Sequence, residues 1–332
     1  MTSAGGSRHQ HRPGWLSQER SPGPTIVPMD TATIERASLV ALLRRPRARW
    51  SEIALDIQEN GSARAVLDRT VGHSDTLFPD GNSTTELISA AVAEITGWQA
   101  DRVGVHAFFE DTYPAQLRGI REMPPLLFSR GDLRVHDQAV AVVGSRKASE
   151  EGLRIARAVA TTLAGRGVTV VSGLAAGIDT AAHSAALEAG GRTVAVIGTG
   201  IRRYYPSANQ RLQDHIAEVG LVISQFWPDA PPSRQSFPMR NAVMSGYAVA
   251  TVVVEAGETS GARIQARLAL QHGRPVVLTS QVMRCDWAKT FAENPGVYVV
   301  HGTAQLLEAV DDILSYQPTD AGLENFPDFA LR

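Results

Sequence analysis

From residue 139 onward the chain repeats one alternation, a short run of aliphatic and β-branched residues followed by a stretch of helical length, and nothing else in the sequence restricts the fold as strongly. The β-rich runs fall at 139–143, 168–172, 193–197, 221–224, 250–255, 275–279 and 297–300. Between most of them lie amphipathic stretches at 150–165, 178–189, 208–219 and 261–272, and another follows the last at 304–314. Parallel strands need crossover connections, and helices of this length supply them. The expectation is an α/β fold with a doubly wound, mostly parallel sheet.

The pattern before this region is helical throughout. Leu39, Leu42 and Leu43, then Ile53, Leu55 and Ile57, then Leu87, Ile88, Val92 and Ile95 mark apolar faces. Ser83 and Glu86 have the spacing of a capping box opening the last helix. A chain of 332 residues, 43% of them hydrophobic, suffices for one large core and a smaller accessory one. The expected division is therefore a small helical domain over 31–104 and the α/β domain over 105–316. Residues 1–30, rich in Ser, Gly, Pro, Arg and His, bury too little to offset ordering and are expected to form a disordered tail, with 317–332 a flexible one. Met29 is an alternative start, and His9 and His11 read as tail composition, since no third metal ligand stands near them.

Charge and cysteine content limit the function classes. A net charge of -2 gives no bulk attraction to nucleic acid, so any such site has to be a local basic patch. Only Lys147 and Lys289 are lysines, and arginine carries nearly all the positive charge. Cys285 is the single cysteine, which rules out an internal disulfide and a zinc site built on thiolates. No stretch is long and apolar enough for a membrane span or a secretory signal, so a cytoplasmic location with no membrane association is expected.

In doubly wound sheets ligands bind beyond the carboxyl ends of the strands, where helix N-termini offer unpaired N–H groups to anions. The first run ends in Gly144-Ser145-Arg146, a close-approach glycine followed by two phosphate donors. The second leads through Gly173 and Gly177 to Asp179 and His183, two glycines about a strand-to-helix turn. The third reaches Gly198-Thr199-Gly200, then Arg202, Arg203, Tyr204, Tyr205 and Pro206. Cations beside rings suit single strands, because charge follows the backbone and rings stack on bases. The two tyrosines fit rim packing equally well. After the fourth run, 226–238 reads as a proline-rich loop with Trp227, Arg234 and Phe237, and Arg240 and Asn241 follow. Trp227 and Phe237 suit a binding lip or buried pins. The fifth run delivers Glu255, then Ser260 and Gly261 at a helix start, with Glu255 either touching ligand or accepting loop N–H groups. Arg146, Arg202, Arg203, Arg234 and Arg240 are expected to converge on one crevice.

Taken in order, these motifs resemble the DNA-processing protein A (DprA/Smf) family. Tyr113-Pro114 and Pro124-Pro125-Leu126-Leu127-Phe128 with Arg130-Gly131-Asp132-Leu133 resemble the segment leading into its Rossmann-like domain. Val143-Gly144-Ser145-Arg146, the stretch from Ser172 to Asp179 with His183, Tyr205-Pro206, Phe237-Pro238 with Arg240-Asn241, and Val254-Glu255-Ala256 with Ser260-Gly261 follow in the family's order. The helical region resembles the family's amino-terminal, SAM-like module more weakly. The resemblance implies a non-catalytic, cofactor-free protein that binds and protects single-stranded DNA, forms a homodimer, and helps load a RecA-type recombinase in natural transformation. It assigns DNA contacts to Ser145, Arg146, Phe237 and Arg240, and pocket-shaping turns to Gly144, Gly173, Gly177 and Gly198. The sequence departs from the family at Ala242, where arginine is usual, at Gln225 in place of glutamate, at Ile201-Arg202, and over 280–295. The winged-helix module that many members carry has no counterpart in these residues. Two other readings use the same fold. One is a phosphoribohydrolase-like enzyme, whose Pro-Gly-Gly-x-Gly-Thr loop pattern is not matched by 255–261; the other is a sensor binding a small nucleotide.

Overall fold

The computed structural model describes Met1, residues 29–72 and residues 83–315, so the readings of the two tails lie almost wholly outside the described residues. Four helices come first: α1 (Thr31–Leu43), α2 (Trp50–Asn60), α3 (Ala63–Gly72) and α4 (Thr84–Ala100). Asp30 caps α1 by accepting the Thr33 N–H at 2.6 Å. Glu35 on α1 accepts the Ala63 and Arg64 N–H groups at 2.6 and 3.2 Å, which ties α3 to α1 through its unpaired amino end. The capping box forms as the spacing predicts, with Ser83 N–H donating to Glu86 at 2.8 Å and Glu86 N–H to Ser83 Oγ at 3.3 Å. One apolar assignment fails: Ile57 is buried, whereas Leu55 is 58% exposed. Residues two apart on a helix point about 200° apart and cannot share its buried face.

The sheet has nine strands among the described residues: β1 (Gly104–Ala107), β2 (Leu126–Gly131), β3 (Ala139–Gly144), β4 (Thr169–Ser172), β5 (Thr193–Val196), β6 (Leu221–Ser224), β7 (Ala250–Glu255), β8 (Val276–Thr279) and β9 (Val297–Val300). Their order is β1-β2-β6-β5-β4-β3-β7-β8-β9. All seven expected runs are strands, and β3 to β9 pair in parallel wherever they are neighbours. The sequence reading missed β1 and β2, which add antiparallel strands at one edge.

The crossovers are α6 (Glu150–Gly165), α7 (Ile178–Glu188), α8 (Gln210–Val219), α9 (Ser236–Tyr247), α10 (Gly261–Gln271) and α11 (Asp286–Phe291); α12 (Thr303–Ser315) follows the last strand, and α5 (Ala115–Arg118) lies between β1 and β2. Helix α9 corrects the reading of 226–238 as loop. Pro238 is its third residue, in the first turn, where a missing N–H costs no hydrogen bond.

Alternate strand residues enter two cores, one on each face. Val140, Val142, Val170, Val252 and Val254 pack with α6, α7 and α12. Ala141, Val143, Val171 and Val253 face the other way, into a core that continues through Phe128 and Trp98 to Leu39 and Leu42 on α1. The helical region and one face of the sheet therefore share one apolar interior. No described helix is long and apolar enough to cross a membrane.

Candidate functional site at the strand ends

Strand β3 is the switch point of the sheet, because the chain winds outward through β4, β5 and β6 on one side and through β7, β8 and β9 on the other. The two halves part at the carboxyl ends of β3 and β7, and the loops there are tightly joined. Ser145 N–H donates to the Glu255 carbonyl at 2.7 Å, and Ile178 N–H to the Ser145 carbonyl at 3.2 Å. Gly177 has φ of 81°, and a Cβ there would run into the Ser145 and Arg146 backbone. Gly144 is as confined, between Ile178 and the Glu255 carbonyl. The Glu255 carboxylate accepts the Ser149 N–H at 3.1 Å and the Ser149 hydroxyl, and Ser149 caps α6. Glu255 thus fixes the start of a helix.

Beneath this floor lies a buried polar cluster. The Asp179 carboxylate accepts N–H groups of Gly173 and Ala175 at 3.2 and 3.3 Å, so the β4 turn directs two of its amides to the chain's own anion. Burial pushes the Asp179 carboxyl up, and the Arg240 charge opposes that shift. Arg240, 5% exposed on α9, donates to the Gly173 and Val196 carbonyls, the second at 2.9 Å. Gly173 leaves the room this guanidinium occupies. His183 is fully buried, with Nδ1 2.7 Å from Thr193 Oγ1, and burial with the Arg240 charge lowers it to about 3. At neutral pH it is a neutral ring.

Above the floor a cation and two rings form a row. The exposed Arg146 guanidinium lies 5.1 Å from the Phe237 ring, and Tyr205 lies 5.4 Å from Phe237 on its own account. Phe237 sits over Gly198, where a Cβ would come within 2.9 Å of the ring. Ser236 Oγ donates to the Gly198 carbonyl at 2.6 Å and holds the start of α9 on that turn.

The five arginines are placed unequally. Arg146, Arg203 and Arg234 are exposed; Arg240 is part of the floor. Arg202 is bound on both sides, to Asp101 at the end of α4 and to Asp229 at 3.1 Å. Arg203 Nε donates to the Asp229 carbonyl at 3.1 Å. Gly200 packs against the carbonyls of Trp227 and Pro228. Asn241 is buried within α9, while Ser260 caps α10 by accepting the Ala262 N–H at 3.2 Å and leaves Gly261 exposed beside it. Trp227 is a pin, with ring centroids 5.3 Å from Trp50, 5.9 Å from Trp98 and 5.8 Å from Phe128. Tyr204 binds Asp214 at 2.9 Å and is rim packing. No group of three or more potential metal ligands occurs among the described residues.

A doubly wound sheet with an exposed cation and two rings beside its switch point defines a Rossmann-like protein. The chain belongs to the DNA recombination-mediator protein A family, whose profile matches residues 104–317. It is 38% identical over 216 residues to the DNA processing protein DprA of Streptococcus pneumoniae, covering 59% of this chain and 76% of that protein. It is 44% identical over 166 residues to protein Smf of Escherichia coli K12, covering 49% of this chain and 44% of that protein. Against the putative DprA of Mycobacterium tuberculosis the identity is 33% over 292 residues, covering 84% of this chain and 71% of the relative. The solved S. pneumoniae DprA superposes with a TM-score of 0.63 at 30% identity, over 83% of this chain and 95% of that one. A Helicobacter pylori DNA processing protein A, described for its single-stranded DNA binding mode, shares the fold with a TM-score of 0.56 at 23% identity, over 64% of this chain and 96% of that one.

Proposed function

We propose that this chain binds single-stranded DNA across the switch-point crevice without catalysing a reaction on it, and that it serves recombination by protecting the strand and presenting it to a RecA-type recombinase. The observation that carries the reading is the row Arg146, Phe237, Tyr205: one exposed cation and two rings in series, above a floor closed by hydrogen bonds. Phosphates follow the cations, here Arg146, Arg203 and Arg234 with the Ser145 hydroxyl, while bases stack on the rings. Gly144 and Gly198 keep the turns low under the strand. Arg240, Asp179 and His183 shape the floor; Arg202 and Asn241 hold the rim and α9 in place. A mononucleotide whose phosphate sought the amides of the β4 turn would meet the Asp179 carboxylate there, which favours a polymer lying over the rim.

The family's description as a recombination mediator supports the recombinase partner, and a homodimer and a cytoplasmic location belong to the same proposal. The test is binding of labelled oligo-dT to the wild type and to Arg146→Ala over a salt series. Affinity that falls with salt, prefers single strands to duplex, and loses about 0.7 from the log–log salt slope in the variant is the expected result. Absence of binding by the folded wild type overturns the proposal.

A further inference from the structure

The amino-terminal helices meet the loops after β5 and β6 at two places, Arg202 and Trp227. Asp101, which ends α4, binds the guanidinium of Arg202, and the same guanidinium binds Asp229 at 3.1 Å. The loops after β5 and β6 are laced together at this point. Gly200 N–H donates to the Ala230 carbonyl and Arg202 N–H to the Pro228 carbonyl, each at 2.9 Å, and Arg203 Nε reaches the Asp229 carbonyl. The second contact is Trp227, packed by Trp50 of α2 and Trp98 of α4. Arg44, at the end of α1, lies 3.8 Å from the Trp227 ring and is ion-paired to Glu94 of α4. Beyond these anchors the first loop continues to Arg203 and Tyr205, and the second to Arg234 and then to Phe237 at the start of α9.

We propose that Asp101 and Arg44 are positioning residues, through which the helical region sets the rim that receives the strand. The inference rests on the DNA reading of the crevice. Both residues lie outside the row of rings and exposed cations, and act through Arg202 and Trp227. Electrostatics gives the test its discrimination. Removing Asp101 makes the protein less acidic, and by charge alone strengthens binding to a polyanion. Lost positioning weakens it.

Asp101 has a 59% exposed side chain, and an exposed ion pair adds little to stability, so Asp101→Ala folds. The experiment compares wild type, Asp101→Ala, Asp101→Glu, Arg44→Gln and Asp311→Ala. The last makes the same charge change at the end of the sheet away from the crevice, where Asp311 pairs with Arg166 after α6. Oligo-dT affinity is measured together with hydrogen exchange over 199–206 and 226–235. Asp101→Ala and Arg44→Gln are expected to bind three- to tenfold more weakly with faster exchange in those loops. Asp101→Glu restores both, and Asp311→Ala leaves loop exchange unchanged and does not weaken binding. Equal or tighter binding by Asp101→Ala overturns the proposal, as does unchanged loop exchange. If the wild type binds no oligonucleotide, the DNA reading fails; the exchange measurement then decides the clamp by itself.

Discussion

Arg146 and Arg240 lie close enough for their charges to interact and differ in what their loss should do. Arg146 is exposed against a ring; its removal should lower affinity and leave the urea midpoint in place. Arg240 is buried, and Arg240→Ala leaves Asp179 in the interior without its opposite charge. That change should cost about 3–5 kcal/mol of stability, readable in urea denaturation before any DNA is added. Phe237→Ala should weaken oligo-dT binding by about 1–3 kcal/mol, the worth of one stacked base, with little change in the salt slope. Two histidines contribute to the acid limb of stability. His183 is held down to about 3 by burial and Arg240, His106 to about 4 by burial and Arg36, both below an ordinary 6.5. The unfolded chain takes up these protons near pH 6.5 while the folded one does not. Stability present above 6.5 is therefore lost as pH falls towards 4, by about 1.4 kcal/mol per unit for each histidine. Urea midpoints at pH 7 and 5 measure the slope, and His183→Gln should roughly halve it.

The loops after β3 and β4 stand or fall together. Gly177→Ala forces a side chain into a left-handed position against the Ser145 carbonyl, and should destabilise the protein by about 2 kcal/mol or more as judged by denaturant titration. At this scale the sequence was most legible where periodicity and burial agree. The runs around Val140, Val170 and Val252 are apolar on both faces and could only be interior strands. Leu126 to Phe128 is equally apolar, but the run lies outside the strand–helix alternation, so nothing local announced β2 as an antiparallel addition. Helix α9 was hidden by the prolines around it, a local signal that Ser236 and the packing of Tyr247 override. In the site, Gly144, Ser145, Arg146 and Phe237 were named from sequence and lie together. What composition could not separate was an exposed cation from a buried one: Arg240, Arg202 and Arg203 read alike in the chain and differ only in what the fold packs against them.

At the scale of the whole molecule, one interior joins the four amino-terminal helices to a face of the sheet. Unfolding should be a single transition, in which tryptophan fluorescence from Trp50, Trp98 and Trp227 coincides with far-ultraviolet circular dichroism. Leu67→Ala, at a fully buried position of α3, should lower both curves together by about 2–5 kcal/mol. Separate transitions would show that the helices and the sheet fold independently. The carboxylate of Asp179 is set among the amides of the β4 turn. A turn that depended on a visiting phosphate for its shape would be soft until one arrived, and would stiffen on contact with any small anion in the medium. This one carries its anion as part of the chain, so inorganic phosphate should add little to its heat resistance. When a strand settles on the rim, the freedom surrendered is then chiefly the strand's.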